Sequence, residues 1–273
     1  MRIFITGASG FLGYRVIRRL IDEHHTLFAL TRKEEQAKQL QELGVTPIKG
    51  ALENMDDWAD ILSNTDTVIH LAALVKTWGP WDTFYQIIVR STRQLLELSE
   101  QRGVKRFIYI SSESVLQDGR PLLDIDENYP YPENPSSFYG RAKMLAEQEI
   151  RKHCGKMEII ILRPTFIWGE DSFQLHDLIL RAKKKQFPWI DKGNAMFEHV
   201  HVDNVVEAII QSLTRGKNKE VYLITNDEPM PAKQFFNELF HITKTPAPRF
   251  SLPSKLVYPI SRWLERIWSQ FRL

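Results

Sequence analysis

The sequence holds a single cysteine, Cys154, among its 273 residues. That excludes an internal disulfide and any multi-cysteine zinc site, and it suits a reducing compartment. An excess of charge of either sign is also missing. Lys+Arg 36 against Asp+Glu 34 leaves +2, so the balance offers no argument for nucleic acid as a partner. No uninterrupted apolar run approaches the ~18 residues of a membrane-spanning helix. The opening run MRIFITG is too short for a secretory signal and ends in glycine. Thirteen Gly and 14 Pro are too few for collagenous or low-complexity character. A soluble, cytoplasmic protein is expected, with one reservation at the C-terminus.

What is present is a globular composition, 43% hydrophobic and 26% charged, arranged in two alternating periods. Strand-like runs at 2–6, 26–31, 45–49, 67–71 and 105–110 are separated by helical stretches at 11–22, 34–43, 56–62 and 82–101. A helix over 137–153 and a strand over 158–162 continue the rhythm. Alternation of this kind implies right-handed βαβ crossovers, and hence an α/β fold with a doubly wound parallel sheet covered on both faces. After Arg163-Pro164 the rhythm breaks. Strands are expected at 197–202 and 221–225 around a helix at 205–213, and Pro-punctuated helical pieces follow from Pro229. The expected organisation is a Rossmann domain over 1–162, with 200–225 returning to it, and a small substrate lobe from 163–199 and 226–273.

The loop Thr6-Gly7-Ala8-Ser9-Gly10-Phe11-Leu12-Gly13 leaves the first strand and opens the first helix. Gly7 permits a tight turn, Gly10 lets the backbone approach a pyrophosphate, and Gly13 allows close helix–sheet packing. The helix N-terminus then offers amide donors to the anion. The acid expected ~20 residues further on, to bond a ribose diol, is missing. Thr31 and Arg32 stand there instead; the guanidinium fork suits a 2′-phosphate. NADP is expected ahead of NAD. Further along, Tyr139 and Lys143 lie four residues apart on one helical face. There an ammonium would lower the pKa of a phenol toward a value useful in proton exchange. Ser112 follows the fifth strand, at the sheet edge where such folds bind ligands.

With TGASGFLG at 6–13, VIHLAA at 68–73, YISSESV at 109–115, YGRAK at 139–143, LRP at 162–164 and HVHVDNV at 199–205, the chain resembles the extended short-chain dehydrogenase/reductase family, also called the NAD-dependent epimerase/dehydratase family. The resemblance covers nearly the whole chain. It implies a catalytic Ser112–Tyr139–Lys143 site. Gly7, Ser9, Gly10, Phe11, Leu12, Gly13, Thr31 and Arg32 would lie on the cofactor, and Leu71, Ala72 and Ala73 beside it. Tyr139 and Lys143 would also touch it, the lysine through the nicotinamide ribose.

Departures from the family narrow the expected chemistry. Gly50-Ala51-Leu52 stands where the family often has Gly-Asp-Leu, so an adenine contact is absent. Ile88 stands where a frequent Asn would relay a proton. Ser112-Glu113-Ser114 lacks the Thr-Asp-Glu of dehydratases, and Val115-Leu116-Gln117 lacks the Val-Tyr-Gly of sugar epimerases. The closer likeness is to the 3β-hydroxysteroid dehydrogenase and dihydroflavonol reductase branch. That implies an apolar, steroid-, flavonoid- or lipid-like ketone or secondary alcohol as the small-molecule substrate. The alternatives are a nucleotide-sugar epimerase or dehydratase and a non-catalytic NADP sensor. An aromatic group, Phe166, Trp168, Phe173, Phe187, Trp189 and Phe197, reads equally as pocket wall or as ordinary core. His199 and His201 alternate on a strand, but no further His/Cys cluster joins them, so no metal is expected.

The tail is the reservation. Over Ser254–Leu273, Leu256, Ile260, Trp263, Leu264, Ile267 and Phe271 build one apolar helical face among basic residues. Such a helix suits peripheral contact with an anionic membrane. It equally suits docking on the small lobe, over the substrate cleft or against a homodimer partner.

Overall fold

The computed structural model describes residues 1–76 and 78–260. They form two compact units, Met1–Thr165 with Val202–Ile224, and Phe166–His201 with the chain from Thr225 onward.

The first unit begins with β1 (Arg2–Thr6), α1 (Phe11–Asp22), β2 (Thr26–Thr31), α2 (Glu34–Glu42) and β3 (Thr46–Lys49). A 3-10 turn at Ala59–Asn64 leads to β4 (Thr67–His70). The stretch expected as one helix is three pieces: α3 (Trp81–Phe84), a π-helical turn (Tyr85–Arg90) and α4 (Ser91–Gln101). Within it the Gln86 carbonyl accepts from the Ser91 backbone N–H across the wide turn and from the Ser91 hydroxyl at 2.8 Å. Then come β5 (Arg106–Ile110), a 3-10 turn (Glu113–Leu116), α5 (Phe138–Lys152) and β6 (Glu158–Pro164).

The second unit takes up the chain with β7 (Phe166–Trp168), α6 (Phe173–Lys183), β8 (Trp189–Ile190), β9 (Met196–Phe197) and β10 (His199–His201). The single strand expected at 197–202 is thus broken at Glu198. The chain returns to the first unit with α7 (Val202–Gln211) and β11 (Val221–Ile224), then closes the second with β12 (Met230–Pro231), α8 (Ala232–Ile242) and β13 (Ser251–Leu252).

The seven-stranded sheet of the first unit runs β3-β2-β1-β4-β5-β6-β11, all parallel. Its central strands are buried along almost their whole length, as two helix-covered faces require. Phe4 stacks on Trp58 with centroids 5.2 Å apart. Below α1, Val16, Ile17 and Leu20 are fully buried. Strand order reverses between β1 and β4, and the chain leaves these neighbours in opposite directions. That is the point at which open α/β sheets bind ligands.

The second unit has no large sheet among its described residues. Three two-stranded pieces, β7–β10, β9–β12 and β8–β13, frame clusters of rings. Phe187 and Trp189 pack with Phe240 and Phe236 as core, whereas Phe173 is exposed. Residues 254–260 are helical, and the Ser254 amide donates to Asp191 at 2.8 Å. Leu256, Tyr258 and Ile260 are exposed. Trp263, Leu264, Ile267 and Phe271 of the expected tail face lie outside the described residues. Among the described residues no helix is long and apolar enough to cross a membrane.

Candidate active site

At the switch point the glycine loop is built by close approach. Gly7 has φ +75, and a Cβ there would stand 2.7 Å from the Ala72 amide nitrogen, so loop and β4 exit fit only with glycine. At Gly13 a Cβ would lie 2.2 Å from the Gly7 carbonyl oxygen, which locks the first turn of α1 under the loop. Gly10 differs: its nearest obstacle is the Gly7 oxygen at 3.3 Å, leaving its outer side open. It caps α1 with no side-chain hydrogen bond, and no acid stands in the first turn. Free amides and an unopposed positive helix end fit a pyrophosphate. Ser9 and Gly10 are exposed, Phe11 and Leu12 half-buried, and so are Leu71, Ala72 and Ala73.

Beneath the loop, His70 is fully buried. Its ring nitrogens meet the Thr6 hydroxyl at 2.6 Å and the Thr92 hydroxyl at 3.0 Å. Burial, and to a lesser degree the charge of Lys143, pull its pKa down to about 3. It is a neutral brace, tying β1, β4 and α4 together. At the β2 exit Thr31 is buried, its hydroxyl donating to Gln36 at 3.3 Å. The Arg32 side chain is exposed, and its acidic neighbour Glu34 is taken up by Lys49 at 2.5 Å.

Ser112 leaves β5 and starts the following 3-10 turn, its hydroxyl accepting from the Ser114 amide at 3.2 Å. Ser137 caps α5, accepting from the Gly140 amide at 3.0 Å. Gly140 is what brings the two segments together, since a Cβ there would stand 2.4 Å from the Ser114 carbonyl oxygen. Tyr139, on the first turn of α5, is half-buried. Burial pushes its phenol up to about 12, while the hydrogen-bonding Ser112 hydroxyl pulls the other way. This is opposite to the expected depression by an adjacent ammonium. Burial is the cause, and Lys143 turns elsewhere: its Nζ donates to the Ile110 carbonyl at 2.5 Å and lies 4.6 Å from the centre of the Tyr109 ring. Only 1% exposed, Lys143 is drawn down to about 7 by burial, against the opposing pull of Glu147.

Glu147 and Arg163 were not foreseen from sequence. They form an ion pair at 2.6 Å with side chains 0% and 1% exposed. Tyr131 donates to the carboxylate at 2.6 Å, and Ser111 donates to it as well. The signal was available: Tyr139, Lys143 and Glu147 repeat every four residues. A carboxylate on the face shared with Ala142, Ala146 and Ile150 demands a buried partner. The pair fastens α5 to β6 one turn beyond Lys143.

Sequence comparison accords with this geometry. Residues 3–225 match the model of the NAD dependent epimerase/dehydratase family. The chain belongs to that family, the extended short-chain dehydrogenase/reductases. It is thus an NAD(P)-dependent oxidoreductase of the extended type. It is 33% identical over 270 residues to a 4-hydroxy-2-methyl-3-oxo-4-farnesyl-3,4-dihydroquinoline-1-oxide ketoreductase of Stigmatella aurantiaca, covering 98% of this chain and 81% of that protein. It is 28% identical over 281 residues to a decarboxylating sterol-4-alpha-carboxylate 3-dehydrogenase of Dictyostelium discoideum, covering 99% and 86%. Among solved structures, UDP-glucuronic acid 4-epimerase from Bacillus cereus in complex with NAD superposes with a TM-score of 0.80. Identity there is 23%, with 93% of this chain and 86% of that one covered, a likeness of fold alone.

Proposed function

We propose that this enzyme interconverts an apolar ketone and its secondary alcohol, with NADP preferred to NAD and with Ser112, Tyr139 and Lys143 as the acting residues. The observation that carries the reading is the seating of α5 on the turn after β5, where Gly140 lies against the Ser114 carbonyl and the Tyr139 phenol comes to the Ser112 hydroxyl. A phenol that stays protonated at neutral pH is suited to give its proton to a carbonyl oxygen as that oxygen becomes an alkoxide. Ser112 would hold the same oxygen, and Lys143 would place positive charge below it. The open side of Gly10 and the free amides at the start of α1 would hold the pyrophosphate, with Arg32 turned to a 2′-phosphate. The dinucleotide, when bound, supplies or accepts the hydride. The apolar substrate class is supported by the names of the relatives, which act on a farnesylated quinoline oxide and on sterols. A cytoplasmic location belongs to this reading, as do a homodimer or peripheral membrane contact through the tail.

The test is a panel of steroid, flavonoid and aliphatic ketones with NADPH, read by loss of reduced-nicotinamide absorbance. Turnover is expected with an apolar ketone, and Tyr139→Phe should lower kcat by about 10²–10⁴-fold while the Kd for NADPH stays the same. Turnover of UDP-sugars alone would sink the reading in favour of an epimerase. Arg32→Asp should reverse the order of NADP and NAD affinities in direct titrations; equal affinities in the parent would remove Arg32 from the site.

A further inference from the structure

One face of α5 grips the end of β5 at three consecutive residues. Tyr139 meets the Ser112 hydroxyl, Lys143 donates to the Ile110 carbonyl at 2.5 Å, and Glu147 accepts from the Ser111 hydroxyl between them. Tyr139, Lys143 and Glu147 follow one another at helical-turn spacing. The contacts of Tyr139 and Lys143 lie within the Ser112–Tyr139–Lys143 site; that of Glu147 lies outside it. Ser111 is 3% exposed, and its amide donates to the Leu162 carbonyl of β6 at 2.7 Å. It is thus tied to β6 through its backbone and to α5 through its side chain, immediately before Ser112, which is extended and starts the 3-10 turn. Glu147 itself has little freedom. Arg163 donates to its Oε1 at 3.0 Å and to its Oε2 at 2.6 Å, and Tyr131 donates to Oε2 at 2.6 Å. The arginine fork alone would hold α5 on β6; the Ser111 hydroxyl carries the same carboxylate's hold over to the exit of β5.

We propose that Glu147 is a positioning residue which, through the Ser111 hydroxyl, holds the Ser112 hydroxyl against the Tyr139 phenol. Tyr139 and Glu147 ride on one helix, so they keep their spacing whatever the strand does. Freed from Glu147, the exit of β5 shifts relative to that helix, and the distance between Ser112 and Tyr139 changes with it. Transfer of a proton within such a pair falls steeply with misplacement. The inference rests on the proposed function for the part this pair plays in turnover, but the placement of the pair is read without substrate.

The probe is tyrosine labelled with ¹³C at Cζ in the full-length protein, the Tyr139 resonance being identified by its loss in Tyr139→Phe. Ser111→Ala removes the tie and leaves the carboxylate its arginine and its phenol. The Tyr139 resonance is expected to move in that variant. With a ketone turned over in the NADPH panel, kcat should fall about tenfold while KM and the Kd for NADPH stay the same. Tyr131→Phe takes a different donor from the same carboxylate without touching β5. It should lower the melting temperature by a similar amount and leave both the Tyr139 resonance and kcat unchanged, which separates positioning from mere stability. If Ser111→Ala fails to fold, Ser111→Cys, with a weaker donor, should move the same signals in the same direction. A Tyr139 resonance that stays in place, a shift with no loss of kcat, or an equal shift in Tyr131→Phe overturns the inference. If the resonance moves while no ketone is turned over, the functional proposal fails and the positioning contact stands.

Discussion

Each unit is held together internally by its own physics. The first is a parallel sheet whose interior includes charge: Arg163, Glu147 and Lys143 are each no more than 1% exposed. The second has strands of two or three residues and relies on ring against ring. Buried charge is directional and demands partners at fixed places; ring packing gains from buried area and from offset or edge-on contacts. On the proposed function, the unit that would hold the proton-transfer groups is the one with buried charge in its interior.

The contrast can be broken most forcefully at its centre. Arg163→Met leaves the Glu147 carboxylate buried and unpaired, and should cost about 3–5 kcal/mol in denaturant unfolding. The double variant Glu147→Leu with Arg163→Met should recover most of that loss. If the double variant is as damaged as the single one, the pair is not acting as a pair. Lys143 gives a pH-dependent effect of comparable size. Its folded value of about 7 lies below the ordinary 10.5, so the unfolded chain binds the extra proton between these values. Stability should therefore rise with pH across that window, by about 1.4 kcal/mol per pH unit from this group. Lys143→Met should abolish the slope and be more stable than the parent at pH 6. An unaltered slope would place the titrating group elsewhere. Smallest should be Phe235→Leu in the second unit, about 1 kcal/mol, because neighbouring rings can settle into the space. A loss as large as that of Arg163→Met would erase the distinction between the units.

Much of this architecture is legible in the residues because the parallel strands are apolar on both faces and the helices between them are amphipathic. Runs such as Phe107–Ile110 and Ile159–Leu162 admit no other placement than the middle of a covered sheet. The second unit is harder, since strands as short as Trp189–Ile190 hold too few residues to display a period. In the candidate site, residue types are legible and directions are not. Nothing in YGRAK says that a four-carbon stem turns its nitrogen to the Ile110 carbonyl. That choice depends on the Tyr109 ring and the β5 backbone, which the fold supplies from thirty residues away. Glu147 and Arg163 escape for a related reason, their partnership being fixed only when α5 lies on β6. Gly140 looks like a spacer until the Ser114 carbonyl is seen against it.

The π-helical turn at Tyr85–Arg90 makes this stretch a phase shifter. Each residue added to or removed from a helix rotates everything beyond it by about 100°. Phe84 and Ile88 before and within the wide turn, and Thr92, Leu95 and Ser99 beyond it, are all buried. Shortening the loop of six by a single codon would wind it as ordinary α-helix and carry Thr92 away from His70. Along this segment the chain should accept many exchanges of one side chain for another, yet very few changes of length.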